Sequence, residues 1–356
     1  MPTFRPDLAA IPMYTPGRPV ADVQREHGLE SVIKLASNEC PYEPFPPVVE
    51  AVAAAASAVN RYPDNRRQEL REAIGDFHGI SPGEVWVGGG SNELMYVTAL
   101  AVGGPGTSAV FADPTFGLYR IATQLAMAEG IGVPLDVDYR HDLKAMADAV
   151  RSDTTVVYLC NPNNPTGTHV AAEKVTEFID AIPDRVLVVV DEAYHEFANA
   201  PDFESARRLA IERENVVVAH TFSKAYGLAG LRAGYFIGHP RTLDELKRIQ
   251  LPFSVGTLAQ VAAIEALQHQ DLVAERMADN QAGLERVERG LADRGLEFAD
   301  SQTNFVWVNP PMPAADCAAA LQQRGVIVRT VGDAIRISIG TPAENERLLL
   351  ALDEAI

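Results

Sequence analysis

Cysteine is scarce in this 356-residue chain: Cys40, Cys160 and Cys317 are far apart and none has a C-x-x-C partner. That excludes a disulfide framework and a thiolate metal or redox motif, and leads us to expect a reduced, cytoplasmic protein. Positive charge is also in short supply, with 30 Lys+Arg against 48 Asp+Glu and a formal net charge of −18. A protein that binds nucleic acid or an anionic membrane needs a basic footprint to displace counterions, so neither partner is expected. Long hydrophobic runs are missing. The most apolar continuous tract, Val48 to Val59, is interrupted by Glu50 and falls short of the roughly 18–20 residues that cross a bilayer. The first residues hold neither an apolar h-region nor an Arg-rich amphipathic stretch, so no targeting segment is expected there. Internal repeats and low-complexity tracts are absent as well.

What is there is an ordinary globular composition, 47% hydrophobic, at a length that suggests two domains. Short β-rich runs alternate with amphipathic stretches, the pattern of an α/β fold with a mostly parallel sheet sandwiched by helices. Glu84 to Val87, Ala109 to Ala112, Thr155 to Cys160, Val186 to Val190 and Val216 to Ala219 read as strands, several of them apolar throughout as strands buried on both faces are. Asn92 to Val102, Phe116 to Ala128, Leu143 to Val150 and Ala171 to Ala181 recur at helical spacing. Helical pattern runs on from Leu258 to Asp293. Strands are then expected at Asn304 to Val308, Val326 to Arg329 and Ala334 to Ile339, before a closing helix from Glu344. We therefore expect a smaller α+β domain over 256–356, a large ligand-binding domain over 46–255, and an N-terminal arm over 1–45 that completes the small domain.

In an open α/β sheet, ligands sit beyond the carboxyl ends of the strands. After Val87 come Gly88-Gly89-Gly90-Ser91-Asn92-Glu93 and a helix, a loop whose backbone and helix N-terminus suit a phosphate. A nicotinamide fingerprint is the competitor, with Asp113 about 20 residues on. Glu93 at its third glycine position counts against it, because a carboxylate would crowd the helix–strand contact. After Cys160 comes the Asn161-Pro162-Asn163-Asn164-Pro165-Thr166-Gly167 turn; by itself it reads as a tight turn, and in functional terms as a rigidly held Asn donor. Asp191 ends an apolar strand; it either caps the next turn or is buried opposite a positive partner. Lys224 lies between a buried strand and a glycine-rich segment, where desolvation would free its amine for covalent chemistry with a carbonyl. Arg232, eight residues on, and nearby hydroxyls suit a phosphate.

In that order and spacing, the Asn-Asn-Pro-Thr-Gly turn, Asp191-Glu192-Ala193-Tyr194 and Ser223-Lys224-Ala225-Tyr226-Gly227-Leu228-Ala229-Gly230-Leu231-Arg232 resemble the fold-type I pyridoxal-phosphate aminotransferases. With Leu35-Ala36-Ser37-Asn38-Glu39, Arg61-Tyr62-Pro63-Asp64, Asp113 to Tyr119 and Arg336-Ile337-Ser338-Ile339-Gly340, the chain most resembles the histidinol-phosphate aminotransferase family. The resemblance implies that Lys224 holds pyridoxal 5'-phosphate covalently and moves the proton, and that Asp191 pairs with the pyridine nitrogen. Asn164 and Tyr194 would bond the ring oxygen, Phe116 would stack on the ring, and Ser91, Asn92, Thr221, Ser223 and Arg232 would hold the phosphate. Tyr62 would reach the phosphate of a neighbouring subunit, implying a homodimer with shared sites. Tyr14, Asn38, Arg329 and Arg336 would bind substrate, an amino donor and then 2-oxoglutarate, and the Asn164-Pro165 bond would be cis. Phe116 stands where this family commonly has Tyr, and Cys40 interrupts the arm motif; an aromatic amino acid aminotransferase is the alternative reading. His195 and His220 show no metal-ligand spacing and read as packing or supporting groups.

Overall fold

The computed structural model describes residues 2–13 and 17–356. Where successive strands pair in parallel, the chain returns between them through helical segments. The result is a seven-stranded sheet with the order 85–88, 234–238, 216–221, 187–191, 154–160, 108–113, 129–134. Strand Gly234–Gly238 runs antiparallel to both its neighbours, and the other pairings are parallel. Every residue of Leu187–Asp191, Val216–Thr221 and Gly234–Gly238 is buried. Helices cover both faces, so the side chains split into one apolar layer with Val110, Val157, Val188 and Val218 and another with Phe111, Tyr158, Val189 and Ala219. Among the described residues no helix is long and apolar enough to cross a membrane.

The smaller unit is an antiparallel sheet of strands 329–331, 334–338, 305–309 and 297–298. Its core joins Leu35 of the arm to Leu284, Leu291, Leu321, Ile337 and Leu348. The arm is held there by Ile33–Lys34, which pair in parallel with Val326–Ile327. Thr341 caps the closing helix Pro342–Ala355 reciprocally with Glu344, which fixes where that helix starts. Helix Gln270–Asp293 packs against both cores. Helix Thr257–Leu267 and Val273 pack with Phe45, Leu70 and Ile237 of the large unit, whereas Leu284 packs with the small one. Leu321 is fully buried in the small core, so Leu321→Ala should lower stability by about 2–5 kcal/mol, read as a lower denaturant midpoint.

The segment expected to be an unpatterned arm holds helix Val20–His27, closed by Gly28 in the left-handed conformation. Beside the two-residue strands Ile33–Lys34 and Glu297–Phe298, two strands of the large sheet escaped the sequence reading. Glu129–Pro134 is a sheet edge with little apolar content, and Gly234–Gly238 is flanked by glycines that resemble a loop.

Candidate active site

The strands 154–160, 187–191 and 216–221 end side by side, and the arm and the small sheet close over them. Between these elements lies a cavity of about 240 Å³. Its lining brings together Asn38, Ser91, Asn92, Phe116, Asn164, Asp191, Tyr194, Thr221, Ser223, Lys224, Arg232, Arg329 and Arg336, thirteen of the fifteen residues expected from sequence. Of the other two, Tyr14 lies outside the described residues. Tyr62 is 82% exposed and stacks on Phe253 at 4.6 Å between ring centres, away from its own chain's cavity.

One end of the cavity is built for an anion. Helix Ser91–Val102 begins there after Gly90, whose φ of 82° disfavours any side chain and where an added Cβ would lie only 2.5 Å from the Arg232 guanidinium. Arg232 has left-handed φ and ψ itself (60° and 65°), and its Nη1 donates to Ser223 Oγ at 3.2 Å and to the Ala229 carbonyl at 2.8 Å. Helix N–H groups, a serine hydroxyl and a guanidinium thus converge. Glu93, expected to crowd the helix–strand contact, folds back and accepts the Gly89 N–H. Asp113 is likewise engaged, by Arg120 at 2.8 Å.

The other end supplies a carboxylate and an amine. Asp191, 2% exposed, accepts from the Tyr119 hydroxyl at 2.6 Å and from the Ala193 N–H at 3.2 Å. Burial pushes its pKa up to about 6, and these two donors hold it from going higher. Such a carboxylate calls for a buried cation. Lys224 Nζ donates to the carbonyls of Asn38 at 3.1 Å and Ser37 at 3.4 Å. Burial first, and then the nearby Arg336 charge, bring its pKa down to about 8, so a useful fraction is neutral amine near physiological pH.

Two arginines form the roof. Arg329 and Arg336 are directly opposed across antiparallel strands 329–331 and 334–338. Both guanidiniums line the cavity, where they put two positive charges on one wall. Arg336 also donates to Asn164 Oδ1 at 2.6 Å and to the Ala36 carbonyl at 2.8 Å, which fixes its direction.

Several details were not foreseen. Asn38 lines the cavity, but its side chain is already committed, donating to the Tyr194 hydroxyl at 3.0 Å and accepting from Ser338 Oγ at 3.0 Å. It positions neighbours through a left-handed backbone (φ 53°) that Asn tolerates. The cis bonds are Asp113-Pro114 and Asn161-Pro162, not the expected Asn164-Pro165; both follow directly on strand ends. Cys160 and Tyr119 were read only as parts of a strand and of a motif, yet one lines the cavity and the other bonds Asp191. His220 meets Glu192 at 2.9 Å with His195 stacked on it at 3.9 Å, a buried supporting pair; no metal-binding group of side chains occurs among the described residues.

The donor set fits pyridoxal phosphate on its chemistry. It offers a depressed-pKa amine for the aldehyde, a buried acid for the ring nitrogen, an aromatic face in Phe116, and a helix-terminus anion cup. Comparison with known proteins agrees. The aminotransferase class I and II model matches residues 30–352. The chain is 39% identical to a histidinol-phosphate aminotransferase of Geobacillus sp. (strain WCH70), covering 99% of this chain and 98% of that one. It is 41% identical to an aromatic amino acid aminotransferase of Nocardia farcinica, over 99% and 98%. The crystal structure of histidinol-phosphate aminotransferase from Sinorhizobium meliloti in complex with pyridoxal-5'-phosphate superposes with a TM-score of 0.91 at 32% identity, covering 99% of this chain and 97% of that one. The chain belongs to the class I and II aminotransferases and, among them, to the histidinol-phosphate aminotransferase family.

Proposed function

We propose that this protein is a pyridoxal-phosphate-dependent transaminase that moves the amino group of L-histidinol phosphate to 2-oxoglutarate, giving imidazole-acetol phosphate and glutamate in histidine biosynthesis. The observation that carries the substrate reading is the opposed Arg329–Arg336 pair above Lys224, a site for an anionic substrate group. Both partners in such a reaction are anions, one a phosphate ester and the other a dicarboxylate, and each needs that roof.

When bound, the cofactor supplies an electron sink that makes the hydrogen on the substrate's amine-bearing carbon acidic. Lys224, which would hold the cofactor aldehyde until the incoming amine takes its place, would carry that proton on Nζ from the substrate carbon. The Asn38 carbonyl marks where the free amine is held meanwhile. Asp191 carries the negative charge that keeps the ring nitrogen protonated. Ser91, Asn92, Thr221, Ser223 and Arg232 hold the phosphate still, while Tyr194 and Asn164 hold the ring oxygen, each oriented by Asn38 or Arg336.

The site works as a homodimer in this proposal. Tyr62 and Phe253, stacked on each other, are exposed on the large unit, as are Leu251 and Ile249. Tyr62 from one subunit would complete the phosphate cup of the other, and sedimentation should give twice the chain mass. The unpaired cysteines are in keeping with a cytoplasmic location.

Turnover of histidinol phosphate and of phenylalanine, each with 2-oxoglutarate, tests the substrate reading. Histidinol phosphate should have the higher kcat/KM; a clear preference for phenylalanine would establish the aromatic alternative instead. Arg329→Ala should lower kcat/KM for histidinol phosphate by about 10- to 100-fold, the range expected for a charge-assisted contact, and affect phenylalanine much less. Arg336→Ala should raise KM for 2-oxoglutarate by a similar factor of about 10 to 100.

A further inference from the structure

Tyr119 is 0% exposed, on the first turn of helix Leu118–Leu125, and makes two contacts that bear on the cavity. Its hydroxyl donates to Asp191 Oδ2 at 2.6 Å. Its ring meets Phe116 edge-on, at 5.6 Å between centres and 89° between planes. The opposite constraint comes from Tyr158, stacked on it at 4.7 Å and within 5° of parallel. One side chain, clamped by a neighbouring ring, therefore touches both the acid and the aromatic that border the cofactor ring.

We infer that Tyr119 is a positioning residue for the cofactor, its hydroxyl keeping Asp191 ionised and fixed toward the cavity while its ring seats Phe116. This rests on the cofactor reading proposed above. The charge argument follows from what surrounds Asp191. Facing it are Tyr119, Cys160, Tyr194, Lys224 and its chain neighbour Glu192. Burial pushes both phenols and the thiol up, so all three stay protonated and neutral near pH 7. Glu192 is committed to Ser205 and the Ala206 N–H. Lys224 titrates at about 8 and so is charged below pH 7. In the absence of cofactor, the donors that favour the Asp191 anion are thus Tyr119 and the Ala193 N–H, with Lys224 a smaller influence. Deleting the hydroxyl raises the Asp191 pKa further, so that at a given pH a smaller fraction is ionised and ready to meet a protonated pyridine.

The test is equilibrium binding of pyridoxal phosphate to the apoprotein, followed by intrinsic fluorescence between about pH 5 and 7, where Lys224 does not change charge. Tyr119→Phe keeps the stack and removes only the donor. It should weaken binding about 10- to 100-fold at pH 5 and by a smaller factor at pH 7, the pattern that an upward move of about one to two units in the Asp191 titration produces across this range. Tyr158→Phe is the matched control, because the Tyr158 hydroxyl is buried with no hydrogen-bond partner; it should change neither quantity. Should Tyr119→Phe fail to fold, the same comparison made in Tyr119→His, which retains a ring donor, should show the inflection displaced less than it is in Tyr119→Leu. Unchanged affinity and inflection in Tyr119→Phe would overturn the inference. So would a loss uniform across pH, or an equal shift in Tyr158→Phe, since either reduces Tyr119 to packing. If wild-type apoprotein takes up no pyridoxal phosphate at any pH, the cofactor reading itself fails.

Discussion

Lys224→Ala is expected to lower turnover by about ten-thousand-fold or more, while leaving the fold and the phosphate cup intact. Two roles disappear together. The amine that would bind the cofactor aldehyde is gone, and so is the group that moves the proton, a contribution of about 10²–10⁴ by itself. Folding should survive because Lys224 is only half-buried and its amine bonds just two carbonyls, of Ser37 and Asn38. Cofactor should still bind, through Ser91, Ser223 and Arg232, but should wash out on dialysis. Borohydride reduction should then label wild type and not the variant. Turnover near the wild-type rate in Lys224→Ala would remove the mechanism proposed here.

Asp191→Asn carries the second large effect, and its sign differs between activity and stability. The amide has nearly the same shape but cannot carry the charge that balances a protonated ring nitrogen. Removing one partner of a buried charge pair costs about 3–5 kcal/mol, so kcat/KM should fall about 200- to 5,000-fold. The apoprotein should respond in the opposite direction. The folded-state pKa of Asp191 is raised from 3.8 to about 6. The unfolded chain therefore releases this proton at lower pH than the folded one, and stability is lost as pH rises through that window. Above it the cost is about 3 kcal/mol for a shift of this size. The amide of the Asp191→Asn variant has no such ionisation cost, although its N–H₂ faces either Tyr119 or the Ala193 N–H, both donors. We therefore expect the apo variant to be about 1–2 kcal/mol more stable than wild-type apoprotein at pH 7, and this advantage to be lost and reversed by about 1 kcal/mol near pH 4, where only the mismatch of donors remains. Denaturant titrations at the two pH values check this directly.

The large sheet was legible because its strands are buried on both faces and so consist of unbroken apolar runs, such as Val186 to Val190. Their polar successors, Asp191, Thr221 and Lys224, stood out for the same reason: a charge placed directly after such a run has to be accommodated. The unread elements lacked that contrast. Strand Gly234–Gly238 is bounded by glycines because a Cβ on Gly234 would lie 2.7 Å from the Ser91 nitrogen. What makes it look like a loop in sequence is therefore what lets it pass behind the phosphate cup.

The supporting residues were hidden differently. Tyr119 and Ser338 sit on the periodic faces of a helix and a strand, where an aromatic or a small hydroxyl reads as core. Their partners, Asp191 and Asn38, are 72 and 300 residues distant in the chain. Side-chain contacts over such separations leave no local trace. Asn38 was legible as a site residue and its function was not, since only the structure shows both ends of its amide engaged. The overall charge was uninformative in a related way. A chain of net charge −18 gathers Lys224, Arg232, Arg329 and Arg336 about one cavity, because ligand recognition depends on the local field and not on the sum.

The central claim, that one site passes an amino group between two substrates by way of Lys224 and its cofactor, is tested most directly by a half-reaction. Purified holoprotein is mixed with excess histidinol phosphate and no oxo acid, and the released oxo product is counted against active sites. The account predicts one equivalent per site and then arrest, with turnover resuming on addition of 2-oxoglutarate and glutamate appearing in step. No oxo product, or product that continues past one equivalent without an acceptor, would contradict it.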